Sequence, residues 1–343
     1  MSKSIRPEKV LYVMAALAIV LGAMKMAAGV LVPGLLALFI AIVCTEPMYW
    51  LVERGVPRWA AIILVVLMLM GLSSLMPVVI GGSFVQFTNE LPVYQERLDA
   101  LLVRSSAELA EYGYDLENLR TIFDLSAALG WVQVILTALG GLLSMFLLIM
   151  LLVIFILVDV PKSLGDGEHT AAQIIRTVQH YFAIKTFTSL LTGTVVAVFL
   201  LVVDVQYPYL WGFVAFLFNF VPNIGSVLAA IPAFALALLF DGVTAALIVA
   251  VGYVVINIGI SNGIEPRIMG QQLGIRFVWI FTSLVVWGWI LGPIGMLLAV
   301  PLTMTLRIIT EGHPDTKWIS DLLKPESAER ILDEDANSQS TPG

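Results

Sequence analysis

Cysteine is almost missing from this chain of 343 residues. The single Cys44 excludes an internal disulfide, and no cysteine pattern for a metal is present. Histidine is nearly as scarce: His169, His180 and His313 lie outside the apolar runs, and no H-E-x-x-H occurs, which argues against an intramembrane zinc site. Charge is thin as well. Asp, Glu, Lys and Arg make up 13% of the chain, against roughly 25% in a soluble domain. No basic, aromatic-interleaved footprint for nucleic acid occurs. The formal charge of -7 comes from acids gathered in 83–125 and in the C-terminal tail, so it says little about fold. Gly225-Ser226 offers a hydroxyl nucleophile, but the apolar runs hold no His to act as base and no Lys partner at that depth, so enzymatic activity is not expected.

What fills the space is apolar residue, 59% of positions, with a mean hydropathy of +0.95. The expectation is an all-α polytopic membrane protein with about eight membrane segments. Runs long enough to span fall near Val10–Ala28, Val30–Cys44 (short, ending at Glu46-Pro47), Trp59–Ile80, Leu136–Val158, Phe187–Val203 and Val243–Ser261. The basic Met1–Lys9 precedes no cleavage site and reads as the start of an uncleaved first span. Two further stretches, 208–240 and 277–308, are too long for one straight span and too short for two joined by a loop. An arm such as Tyr209–Val221 rises only ~20 Å against a hydrocarbon core of ~30 Å. Both therefore read as broken or re-entrant helical hairpins forming an inverted repeat, with a kinked single span as the competitor.

Loop charge orients the chain. With hairpins at both stretches and the N-terminus inside, only Lys25, Arg97, Arg104 and Arg120 of the 18 basic residues face outward, a strong positive-inside bias. Kinked full spans would also carry Arg267 and Arg276 outside and weaken that bias. Both termini are cytoplasmic in either case. The segmentation is 1–82 as scaffold spans, 83–135 as an extracytoplasmic helical insertion, 136–186 as a fourth span plus a cytoplasmic amphipathic helix, 187–310 as a transport core, and 311–343 as a polar, disordered tail. Within the insertion, Leu91, Leu98, Leu101, Leu102 and Leu109 recur at helical spacing, and Pro92 suits a helix start. Pro161–Lys185 reads as the inner interfacial helix.

The candidate site lies in the two long stretches. Phe220-Val221-Pro222-Asn223-Ile224-Gly225-Ser226 and Leu291-Gly292-Pro293-Ile294-Gly295 repeat one device, with Pro and Gly set inside an apolar run and a second Pro downstream at Pro232 and Pro301. Such breaks expose backbone groups that a cavity or solute must satisfy, and paired breaks point to a transporter's binding site. Asn219, Asn223 and Ser226 add side-chain donors and acceptors to the first turn; the alternative is that these amides only satisfy the broken helix. Gly292, Pro293 and Gly295 offer backbone alone, or serve close packing. Asn257, Asn262 and Glu265 step along one helical stripe. Glu265 can bind a proton or sodium, or pair with Arg267 to set a gate; alternatively it is an interfacial carboxylate ending the span at Pro266. Glu46, Asp159 and Asp204 read as surface anchors, Lys25 as a snorkelling cation, and Trp279, Trp287 and Trp289 as belt or packing residues.

From 180 to 310 the chain resembles the autoinducer-2 exporter (AI-2E) family. The matching residues are Tyr181, Lys185, Ser189 and Gly193; Leu210-Trp211-Gly212; Asn219 through Ser226 with Ile231-Pro232; Ile264-Glu265-Pro266-Arg267-Ile268-Met269-Gly270; Leu273-Gly274-Ile275; and Trp287-Gly288 through Gly292-Pro293-Ile294-Gly295 to Pro301. The hydropathy plan extends the likeness to about residues 10–310. The resemblance implies a bacterial inner-membrane transporter that forms homo-oligomers, pentamers by family likeness, and moves small solutes or ions. It also implies export of an autoinducer-2-like signal or a related metabolite, with sodium/proton antiport or an oligomeric channel as alternatives. No cofactor is implied beyond a coupling Na+ or H+; the partners are a small solute or ion, membrane lipid and further copies of the chain. Asn223 departs from the pattern, since the family's first turn often carries a second Gly or Pro there.

Overall fold

The computed structural model describes residues 7–110, 145–160, 170–222, 224–269, 277–312 and 316. The expectations for 111–135, for Pro161 to His169, for Asn223, for Arg276 and for most of the polar tail lie outside these residues. Regular structure among the described residues is helical throughout: α1 (Pro7–Met26), α2 (Ala28–Glu53), α3 (Arg58–Ala110), α4 (Met145–Asp159), α5 (Thr170–Val202), α6 (Pro208–Phe218), α7 (Ile224–Phe240), α8 (Val243–Ile258), a π-helical segment Gly259–Ile264, α9 (Glu265–Met269), α10 (Phe277–Leu291) and α11 (Pro293–Glu311). Ala28–Glu53, Thr170–Val202, Val243–Ile264 and Pro293–Glu311 are each long and apolar enough to cross a membrane, and shorter apolar helices accompany them. This is an all-α polytopic membrane protein.

Three helices run further than the sequence suggests. The second span does not end at Glu46-Pro47: α2 continues to Glu53 with Pro33 and Pro47 inside it. Near Pro47, which withholds a backbone donor, the Ile42 carbonyl accepts from Thr45 Oγ1 at 2.7 Å and from Gln179 Nε2 at 2.9 Å. These bonds brace the helix one residue before the Val43 carbonyl, the one whose donor Pro47 removes. Pro92 does not start a helix either. It lies inside α3, whose 53 residues rise about 80 Å, so the part of the acidic insertion up to Ala110 is an extension of the third span. Likewise 170–185 is no separate interfacial helix but the first half of α5, which has no Pro and no early Gly to stop it.

The described residues form two compact units, one drawn from 1–62, 148–182 and 270–343, the other from 63–147 and 183–269. In the first, Val32, Phe39, Val178, Ile290, Leu291, Leu298 and Leu302 form a buried cluster. Arg58 ties the start of α3 to the end of α4 by donating to the carbonyls of Leu157 (3.0 Å), Val158 (3.1 Å) and Val160, which fits a cation at a helix C-terminus. Lys25 does not simply reach outward; its ammonium stands 4.0 Å over the Trp289 ring. The core of the second unit combines α3, α5, α6, α7 and α8 through residues such as Phe87, Val196, Leu200, Trp211, Ala229, Ala233 and Tyr253.

Candidate functional site

Both Pro-Gly stretches fold as helical hairpins, one in each unit. In the first, α6 has only 11 residues and α7 has 17, so α6 rises about 16 Å and falls short of a full crossing. Gly225 lies so close to the end of α6 that a Cβ would stand 1.8 Å from the Phe218 carbonyl oxygen. In the second, Gly292 turns the chain at φ +70 and Pro293 opens α11, where its missing N–H costs nothing. A Cβ on Gly295 would lie 2.0 Å from the Trp287 carbonyl oxygen. Trp287 Nε1 donates to Thr303 Oγ1 at 3.1 Å across the same hairpin, so Trp287 is a packing residue with a satisfied indole.

The backbone donors at these breaks are not bare. Asn219 N reaches Ala215 O, Val221 N reaches Phe218 O at 2.8 Å, and Gly225 N reaches Val221 O at 3.2 Å. At the second break Gly292 N donates to Gly288 O at 2.9 Å and Met296 N to Gly292 O at 3.3 Å. Tight turns satisfy these N–H groups locally, which moves the chemistry from backbone to side chains.

Those side chains converge on α5. Lys185, Thr188, Ser189 and Thr192 are all buried, at spacings of three, four and seven that place them on one helical face. Asn219, the last residue of the first hairpin arm, is buried and donates from Nδ2 to Ser189 Oγ at 2.9 Å. One turn away, Lys185 Nζ donates to Glu265 Oε1 at 2.8 Å, with the two side chains only 5% and 15% exposed. The Thr188 and Thr192 hydroxyls donate back to the carbonyls of Lys185 (3.3 Å) and Thr188 (2.8 Å), leaving their oxygens as acceptors.

Close backbone approach makes this convergence possible. Gly193 and Gly212 meet where α5 and α6 cross, each carbonyl 2.7 Å from the other's would-be Cβ. On the other side Gly252 receives the ring of Phe199. With Lys185 opposite Glu265 and Phe199 opposite Gly252, α5 and α8 run antiparallel.

Glu265 therefore neither merely ends a span nor pairs with Arg267, which is exposed. Its partner is Lys185. The single stripe of Asn257, Asn262 and Glu265 is not kept. The chain is π-helical over Gly259–Ile264, which changes the angular step; Asn262 is exposed while Asn257 and Glu265 are half-buried. Asn257 Oδ1 accepts from Ser261 Oγ at 3.2 Å. Pro222 and Ser226 are half-buried in the turn beside Asn219, and Asn223 lies outside the described residues. The structure thus brings Asn219 and Glu265 onto consecutive turns of one helix face. Gly292, Pro293 and Gly295 belong to the other unit.

Sequence comparison agrees with this architecture. The profile of the AI-2E family transporter matches residues 12–314. The chain is 36% identical to the AI-2 transport protein TqsA of Escherichia coli over 92% of its own length and 96% of that protein. It is 35% identical to a putative transport protein of Haemophilus influenzae, over 94% of this chain and 98% of the relative. A more distant relative, the putative transport protein YrrI of Bacillus subtilis, is 23% identical over 82% of this chain and 85% of that protein. A helical membrane fold with broken hairpins and a buried polar face on α5, together with near full-length similarity, places this chain in the AI-2E transporter family.

Proposed function

We propose that this protein is an inner-membrane secondary transporter that exports a small polar solute, an autoinducer-2-like signal or a related metabolite, through the polar face of α5. One observation carries the reading: two buried polar pairs, Lys185–Glu265 and Ser189–Asn219, occupy consecutive turns of one helix. Buried ionisable groups in membrane helices are costly and mark solute or ion paths. Two of the four groups come from the first hairpin and from the segment after the π turn, elements with weak helical continuity that are suited to movement. The ammonium and carboxylate neutralise each other, so the resting site presents hydroxyls and amides to a polar solute. The name of the similar Escherichia coli protein, an AI-2 transport protein, agrees with that chemistry.

Glu265 is the natural coupling group. Protonation, or a sodium ion at its carboxylate, frees Lys185 and changes the charge balance of the site, which links solute movement to an ion gradient. The same carboxylate favours sodium/proton antiport as the second reading. The chain acts as a carrier and not as an enzyme: Lys185 is engaged by Glu265 at 2.8 Å and not by a serine. The orientation follows the basic residues, with both termini in the cytoplasm. Copies associate as homo-oligomers through the exposed apolar helix faces, and about eight segments per chain meet the lipid. The test is flux of autoinducer-2 into and out of proteoliposomes under imposed proton and sodium gradients. Gradient-driven, saturable flux that is lost in Glu265→Gln supports the carrier. Unsaturable conductance in a planar bilayer points to a pore, and no movement of solute or ion under any gradient sinks both.

A further inference from the structure

Beyond Thr192 the buried face of α5 changes character. Val196 and Leu200 replace the hydroxyls and join Phe87, Val205, Leu210 and Trp211 in one buried apolar cluster. The polar face is therefore stopped at this end of the unit by a plug with no group for a polar solute to hold.

Directly associated with the plug is a hydrogen-bond node that transport by the polar pairs does not use. Glu90 Oε2 accepts from Tyr94 Oη at 2.6 Å and from Tyr207 Oη at 2.7 Å, and the two hydroxyls lie 3.2 Å apart. Gln86 Nε2 donates to Glu90 Oε1 at 3.1 Å. Gln86, Glu90 and Tyr94, with Phe87 and Arg97, sit at spacings of three and four along the extension of α3 and form one face. That face grips three other elements. Phe87 meets Trp211 of α6 edge-on at 5.2 Å and Tyr207 of the α5–α6 link at 6.0 Å. Tyr94 meets Phe240, the last residue of α7, at 5.5 Å, and the Arg97 guanidinium lies over the same ring at 4.2 Å.

The link itself is strained at Tyr207, whose left-handed backbone (φ 56) a bulky side chain avoids, while Asp204 (φ 61) ends α5 with Asp204 N and Val205 N donating to Leu201 O and Leu200 O. Trp211 Nε1 holds the link by donating to Gln206 O at 3.0 Å, and the Tyr207 hydroxyl holds it through Glu90. A strained segment kept in place by a few bonds to a neighbouring helix has two arrangements available, bound and released.

We propose that the Glu90–Tyr94–Tyr207 node is a latch. It fastens the base of the first hairpin to the α3 extension and keeps the Val196–Leu200 plug shut; its release lets the strained link relax and opens the α5 polar face at this end. The role as a gate rests on the transport reading given above, but the latch is testable without any solute.

The test is thiol accessibility in purified protein in lipid nanodiscs, on a Cys44→Ala background, with a water-soluble maleimide. Leu200→Cys reports the plug, and Val178→Cys reports a buried position in the other unit. Each is combined with Tyr207→Phe, which removes one hydroxyl and keeps the ring, and separately with Glu90→Gln. Labelling at 200 is expected to quicken by about tenfold or more in both latch variants, the effect of losing a hydrogen bond to a charged acceptor, with the rate at 178 unchanged. Unchanged labelling at 200 overturns the latch, and so does equal quickening at both positions, which is general loosening. Because no solute enters the measurement, the outcome stands even if autoinducer-2 flux proves absent.

Discussion

Lys185 and Glu265, 80 residues apart in the chain, meet at 2.8 Å with both side chains largely buried. Deep charge of this kind survives only when paired, and removing one partner strands the other. Lys185→Met or Glu265→Gln alone is expected to destabilise the protein by about 3–5 kcal/mol, whereas the double substitution recovers most of that loss. Thermal unfolding in detergent of the two single variants and the double variant checks this. Additive losses would mean that the pair does not act as one unit.

The Ser189–Asn219 bond makes a milder but more local statement. Each side chain contributes about 1 kcal/mol of coupling for a neutral hydrogen bond, so a double-mutant cycle with Ser189→Ala and Asn219→Ala is expected to show coupling of that size. In the flux assay both variants are expected to raise KM with little change in maximal rate, because they trim contacts to the solute and leave the coupling carboxylate in place.

Glycine at the first break is required by space, not by backbone conformation. A Cβ at Gly225 would stand 1.8 Å from the Phe218 carbonyl oxygen, and backbone cannot yield as a side-chain tip can. Gly225→Ala is expected to cost about 1–3 kcal/mol or to prevent the hairpin from closing. Gly292→Ala meets no neighbour but must keep φ +70 with ψ -154, a region almost confined to glycine, at about 1–3 kcal/mol. Gly22→Ala, in open surroundings inside α1, is the control and is expected to cost nothing and to stabilise by up to about 1 kcal/mol. Folded yield and melting temperature separate the three.

Outside the apolar segments, Glu90 gives the protein a pH dependence with a definite sign. Hydrogen bonds from Tyr94, Tyr207 and Gln86 hold its carboxyl below the usual value of 4.5. A depressed carboxylate stabilises the fold fully above its unfolded-state value and loses that contribution as pH falls through the folded one. Wild type is therefore expected to exceed Glu90→Gln in melting temperature at neutral pH. The gap should narrow only in acid below the ordinary glutamate range. A gap that is constant down to that range and beyond would remove Glu90's ionisation as its cause.

The parts of this site that could be read from sequence are those whose cause is local. Pro and Gly act on the backbone where they stand, so the breaks after Asn219 and at Gly292 fall where composition places them. The polar face of α5 was within reach too: Lys185, Thr188, Ser189 and Thr192 repeat at helical spacing inside or beside an apolar run, and that pattern alone marks a buried polar stripe. Its partners were not legible. Pairing Lys185 with Glu265 needs the antiparallel register of α5 and α8, which a contact distant in sequence, Phe199 against Gly252, accompanies. Pro47 and Pro92 misled because their effect depends on whether neighbours satisfy the freed backbone. The π segment holds Gly259 and Gly263, but glycine alone does not distinguish a π turn from a helix that simply continues or ends.

The hairpin topology makes the last prediction. Arg267 is exposed at the end of the segment that follows the π turn, two residues from the paired Glu265. If α6 and α7 form a re-entrant hairpin, this end of the chain lies on the cytoplasmic side with most other basic residues. In intact cells an Arg267→Cys variant on the Cys44→Ala background is expected to resist an impermeant maleimide and to react at least about tenfold faster once the membrane is opened, the ratio that marks a sealed barrier and not partial burial. Rapid labelling from outside would reverse the orientation of this unit, because α5 and α8 run antiparallel and the paired Lys185 and Glu265 share one side of the membrane. The Lys185–Glu265 pair would then face the external end of the pathway, and the coupling ion would have to enter from there.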